Sequence, residues 1–253
     1  MINLIKMEGY KLRTSKLFII LLSITFVLNA AMSLAVPLFG KMLMGEAAPV
    51  VLSDSIASPF SLSLLLIAVY ISVTSFLYID FSDGYIKNIA GQVGDRGKIV
   101  FSKFIMIGVH NLLFFVVGAL SNVLGALAAG VLVNDGNVLS GILTLLLKWL
   151  LSMAVSSILL FFTVGIRNKS LGIIAAVIFG ANVFSLMYMG IGVAIDNIFH
   201  VSVNIGDFMP DSLMNSVSVI NNEMVVNSAV VSAVFIVAFL ILTYIVFKKR
   251  DVK

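Results

Sequence analysis

Six long apolar stretches dominate the 253-residue chain, over residues 17–39, 60–79, 104–133, 141–166, 171–195 and 229–247. A helix that crosses a bilayer needs about 20 mostly apolar residues, and each stretch reaches that length. The runs are continuous and do not alternate with a period of two, which selects helices over a barrel. Composition agrees. Hydrophobic residues make up 60% of the chain and charged residues 11%, against about 45–50% and about 25% in soluble domains. A soluble enzyme, a disordered chain and a disulfide scaffold are excluded. The expected fold is all-α: one polytopic membrane domain, 1–253, with six spans. The N-terminal apolar run is too long for a signal-peptide core and is expected to be a retained span.

The charges orient these spans. Lys6, Lys11, Arg13 and Lys16 precede the first. Lys87, Arg96, Lys98 and Lys103 follow the second, Arg167 and Lys169 the fourth, and Lys248, Lys249, Arg250 and Lys253 the sixth. With six spans, these fourteen of the sixteen basic residues share one side. The other side carries Lys41 and the acids Glu46, Asp54, Asp135, Asp196, Asp207, Asp211 and Glu223. Basic loops face the cytoplasm, so both termini are expected inside.

Two connections have structure of their own. In the loop 80–103, Phe81, Tyr85, Ile86, Ile89, Ala90 and Val93 recur at helical spacing. This predicts an amphipathic helix ended by Gly91 or Gly94. It is either an interfacial anchor or a docking element for a cytoplasmic partner. In the segment 196–228, apolar residues on both sides of Gly206 and Pro210 suggest two short pieces joined by a hinge. The readings are a re-entrant hairpin in the outer leaflet or an external cap of surface helices. The N-terminal 16 residues predict a weakly amphipathic helix with Ile2, Ile5 and Leu12 on its apolar face, bordered by Glu8 and Lys16.

Chemistry-bearing residues are scarce. There is no cysteine, and His110 and His200 are too far apart to suggest a metal site. Gly97-Lys98 lacks the surroundings of a phosphate loop: Gln92 stands where the first glycine belongs, and Ile99 follows the lysine in place of Ser or Thr. Lys148 is the one charge expected inside a span, either snorkelling toward an external acid or lining a pathway. His110, Asn111, Asn29, Asn122 and Asn182 read as interhelical hydrogen-bonding groups. Ser121/Gly125, Ala126/Gly130 and Ala176/Gly180 have the spacing of close helix contacts. No acid falls within the expected spans, which weighs against an ion-coupled carrier.

This organisation resembles the permease subunits of type 2 ABC exporters. The local match is Asp80-Phe81-Ser82-Asp83-Gly84-Tyr85-Ile86-Lys87-Asn88, continued by Gly94-Asp95-Arg96, Ile99 and Ser102-Lys103. The start Leu4, Glu8, Lys11 and the small size resemble the Firmicutes branch tied to bacteriocin immunity and export of antimicrobial or amphipathic peptides. The resemblance implies two permease subunits, identical or homologous, paired in the membrane. It also implies a separate ATPase subunit that binds ATP and Mg, with no cofactor on this chain and no catalysis by it. The 80–103 helix would be the coupling helix, with Asp83, Tyr85, Ile86, Lys87, Ile89 and Arg96 at the ATPase. Lys148, Asn182, Gly206 and Pro210 would belong to the pathway or its external gate. Export of lipids, sugars or drugs by the same mechanism, and a non-transporting immunity or scaffold role, are the alternatives.

Overall fold

The computed structural model describes residues 2–45, 48–60, 63–82, 97–199, 204–217 and 222–249. The expected coupling helix, with Asp83, Tyr85, Ile86, Lys87, Ile89 and Arg96, lies outside the described residues.

The described chain is almost entirely helical. Helix α1 is Ile2–Thr14 and α2 is Lys16–Met44. The short α3, Leu52–Ala57, leads to α4, Ser63–Ser82. Helix α5 is Gly97–Ala128 and α6 is Val138–Leu160, extended by one π-helical turn over Phe161–Gly165. Helices α7, Lys169–Gly180, and α8, Phe184–Phe199, come next. A 3₁₀ turn, Ile205–Phe208, precedes α9, Pro210–Ser216, and α10 is Asn222–Lys249. Five of these helices are long and apolar enough to cross a membrane: α2, α4, α5, α6 with its π-turn, and α10. This is the architecture of a multi-pass membrane protein.

The fifth apolar stretch departs from expectation. The hydropathy of 171–195 predicts one helix, but the structure breaks it between Gly180 and Phe184. Asn182 there has φ +54°. Asparagine is among the few residues that tolerate the left-handed region, so a hydropathy reading passes over a break that the backbone makes. Ends also move outward: α5 begins at Gly97 and not near 104, and α4 runs through Asp80 to Ser82.

Local signals explain several ends. The Ser15 side chain caps α2 by accepting the Phe18 N–H at 3.4 Å, and Gly45 ends it at φ +81°. Asn168 caps α7, accepting the Leu171 N–H at 3.2 Å. Pro210 opens α9 at a position where its missing N–H costs nothing.

Helices α4, α5 and α6 form the centre. Tyr70, Ile107, Leu159 and Phe247 are buried in one cluster that draws in α7, α10 and Leu4 of α1. The two ends of the chain therefore lie at the same end of the bundle. A second cluster buries Leu213, Met214 and Val217 against Phe115, Leu151 and Val231, so α9 and the residue after it pack into the bundle. By contrast α2 and α10 expose Ile20, Val27, Val234 and Ile241, faces suited to lipid.

Close packing uses glycine where predicted and where not. A Cβ on Gly125 would lie 2.6 Å from the Ala30 carbonyl oxygen, and one on Gly180 2.7 Å from Ile67 Cα. Gly130 is different. It has φ +70° and nothing within 4 Å, so it makes a turn and no helix contact. Gly118 and Gly141, which the spacing rule misses, press against the carbonyls of Pro59 and Ser53.

At the end opposite the termini, Val50–Val51 pairs in parallel with Leu132–Val133. The Ser53 hydroxyl donates to Asp135 at 2.6 Å and holds its carboxyl below the usual carboxylate range.

Candidate functional site

The termini end of the bundle holds a buried ionic cluster. Glu8 and Lys11 come from α1, Asp80 from the last turn of α4, and Lys103 from the second turn of α5. Lys103 Nζ lies 2.5 Å from an Asp80 oxygen and 3.3 Å from Glu8 Oε1. Lys11 also pairs with Asp80, and lies 3.7 Å from Glu8. Glu8, Asp80 and Lys103 are all within 1% of full burial. Two carboxylates and two ammonium groups make the cluster neutral. Such burial is tolerated only when the charges compensate one another.

This corrects two expectations. Charged groups do occupy the spans, since Asp80 lies in α4 and Lys103 in α5. The buried stripe of α1 is Glu8 and Leu12, while Ile2 is exposed. The weak amphipathicity of α1 is the consequence: one of the residues facing the protein is a glutamate. Glu8 and Asp80, two of the five acids among the basic residues of the inner segments, were the available signal.

The cluster flanks the segment 83–96 at both of its anchors. Asp80 is three residues before it and Lys103 seven residues after it. Arg167, in the left-handed region at φ +61°, lies near the same end, its guanidinium 5.4 Å from the Phe247 ring centre and 5.9 Å from that of Phe81.

In mid-bundle a polar ladder joins three helices. Ser72 Oγ lies 3.0 Å from His110 Nε2. Asn111 Nδ2 donates to Ser152 at 3.1 Å and Ser156 at 2.8 Å. The His110 ring is buried, 5.0 Å from both Phe18 and Phe114. This is an interhelical hydrogen-bonding role. Asn29 and Asn122 instead tie α2 and α5 to the connection between α3 and α4, donating to the carbonyls of Pro59 and Ser58.

The four predicted pathway residues fall into separate places. Lys148 lines a polar cavity of about 500 Å³ at the end opposite the termini, with Asp54, Asp135, Ser53 and Asn137. Asp54 and Asp135 are the acids that share this cavity with it. Asn182 lines a small void with Tyr70, Asp211 and Asn215. Pro210 lines a neighbouring apolar groove. Gly206 is packed on Ser212, whose Oγ a Cβ would meet at 2.5 Å. Asn182 and Pro210 are thus brought together around Asp211, while Lys148 stands apart.

Asp211 is a residue that sequence reasoning counted only as an external acid. It is buried at 4% exposure, in the first turn of α9. The Tyr188 hydroxyl donates to it at 3.4 Å. The apolar residues on each side, Phe208, Met209, Leu213 and Met214, were the sequence signal that it would not stay in water.

No group of three or more His, Cys, Asp or Glu suited to a metal occurs among the described residues. Residues 4–182 match the family model described as ABC-2 family transporter protein. No curated protein matches the chain.

Proposed function

The chain belongs to the ABC-2 transporter family, and from that premise we propose that it is the membrane permease subunit of an exporter for amphipathic or cationic peptides, powered by a separate ATPase. The family supports a transport subunit that is not itself catalytic, in a multi-pass membrane protein. The substrate, the six-span topology with both termini cytoplasmic, and the partners are our reading. The ATPase would bind ATP and Mg, and a second permease subunit, identical or homologous, would complete the pathway.

The single observation that carries the reading is the buried Glu8–Lys11–Asp80–Lys103 cluster. It ties α1 to both helices that flank 83–96. Breaking one of its pairs would leave a buried charge uncompensated. Force applied to that segment is then passed to α1, α4 and α5 together. The amphipathic pattern of 83–91 supplies the docking face, with Tyr85, Ile86 and Ile89 apolar and Asp83, Lys87 and Arg96 polar. The broken fifth segment, α7 and α8, would make the sixth crossing with the help of α9, which packs beside it. Irregular backbone at membrane depth is tolerated where protein covers it.

The test is transport in sealed vesicles that contain the chain and its ATPase. An amphipathic cationic peptide should accumulate in inside-out vesicles only with hydrolysable ATP. Accumulation driven by a proton gradient without ATP would overturn the reading, as would peptide protection in cells that lack the ATPase.

A further inference from the structure

The apolar groove beside Asp211 has no use in the fold described so far. Its volume is about 370 Å³, within the roughly 300–1,000 Å³ of small-molecule sites. Its walls come from α6, α7, α8 and α10, with Ile174 and Ile178 facing Phe235 and Phe239. Among the described residues that line it, only Tyr188 and Asp211 carry a side-chain oxygen or nitrogen, and none is basic.

The carboxylate is the anomaly. A buried acid is ordinarily paired, as Glu8 and Asp80 are. Among the described residues no lysine, arginine or histidine makes an ion pair with Asp211, and its side-chain donor is Tyr188 at 3.4 Å. On its other side is the small void with Asn182. The Asn182 Oδ1 is buried and has no hydrogen-bond partner. Asn182 borders that void and not the groove; on the groove wall Asp211 accepts from the Tyr188 hydroxyl and from the N–H groups of Asp211 and Ser212, so what it lacks among the described residues is a cation, in a setting that is otherwise hydrocarbon-like. The stacked rings of Phe184 and Tyr188, 6.1 Å apart, add faces that attract a cation.

We propose that this groove binds an amphiphile bearing a primary ammonium, with its apolar part against Ile174, Ile178, Phe235 and Phe239 and its N–H groups donating to Asp211. A lysine-rich amphipathic peptide has this chemistry in its side chains, so the site gives the exported substrate a recognition element. The identification of the amphiphile as cargo rests on the transport reading; the binding site itself does not.

The experiment uses the full chain in phosphatidylcholine nanodiscs and photoactivatable diazirine analogues of decylamine and decanol, with labelled residues mapped by mass spectrometry. Decylamine should label α7 and α10 around Ile174 and Phe239 saturably, and decanol about tenfold less, the order of one lost charge-assisted hydrogen bond. Asp211→Asn should reduce amine labelling to the alcohol's level, while Asp211→Glu retains most of it. If Asp211→Asn fails to fold by thermal melting, Ile174→Trp tests the same groove from its exposed wall and should abolish amine labelling. Equal labelling by amine and alcohol, or wild-type amine labelling in Asp211→Asn, would overturn the proposal and leave a slot for acyl chains. Peptide transport that continues at the wild-type rate in Asp211→Asn, with amine labelling lost, would overturn the cargo reading alone.

Discussion

Lys103 is the residue on which most of the termini end depends. Its ammonium compensates Asp80 and Glu8 at no exposure to water. Lys103→Met leaves a net buried negative charge and should destabilise the protein by about 3–5 kcal/mol, read as a lowered unfolding midpoint in detergent. Adding Asp80→Asn should recover part of that loss, because the remaining cluster is again neutral. An additive double mutant would show that the two do not interact. Asp135 gives a pH-dependent case. Its carboxyl is held low by the Ser53 hydroxyl, so the stabilisation is present above the unfolded carboxylate range and fades as pH falls through the folded value. Acidification should therefore lower the melting temperature of the wild type more than that of Ser53→Ala. Composition made Lys103 and Asp135 look like ordinary loop charges. Only the partners that folding brings to them, from α1 and α4 or from α3, separate their roles.

At the scale of elements, close helix approach decides what can change. Gly125 lets α5 approach α2, where Ser33 Oγ donates to the Asn122 carbonyl at 2.7 Å. Gly125→Val should cost about 1–3 kcal/mol through overpacking, whereas Gly130→Asn, at an uncrowded left-handed turn, should be tolerated. The break in the fifth stretch makes the opposite kind of prediction. Asn182→Gly should fold as the wild type does, and Asn182→Val should lose about 1–2 kcal/mol to left-handed strain. Unfolding midpoints of the pair check the break directly. Most helices were legible because a long apolar run in membrane has few alternatives to a helix. Their ends were less legible, since Asp80 and Lys103 lie within helices where hydropathy falls. Asn182 was legible as polar but not as a break, because a φ value has no signature in hydropathy. Gly118 and Gly141 were missed because neither has a small residue four positions away: Phe114 and Asn122 flank the first, Asn137 and Leu145 the second.

The whole molecule is a helical membrane domain with a neutral ionic cluster at the end that bears both termini. A polar cavity and an apolar, acid-bearing groove occupy other parts of the bundle. The proposed topology rests on charge placement, since basic segments alternate with acidic ones along the chain. The proposed coupling role of 83–96 rests on its period and on family resemblance, and the cluster formed by the residues that flank it emerges only in three dimensions. In cells that express a tagged chain, the proposed partner ATPase should copurify, and Lys103→Met should weaken that association if the flanking cluster positions the segment. The central claim is that this chain conveys ATPase motion through 83–96 to the spans. It is tested most directly by measuring ATP hydrolysis by the purified chain–ATPase complex with Ile86 and Ile89 both changed to Asp. The account predicts that the permease no longer alters the turnover of the ATPase, while the variant still folds and inserts. Turnover identical to that of the wild-type complex would contradict it.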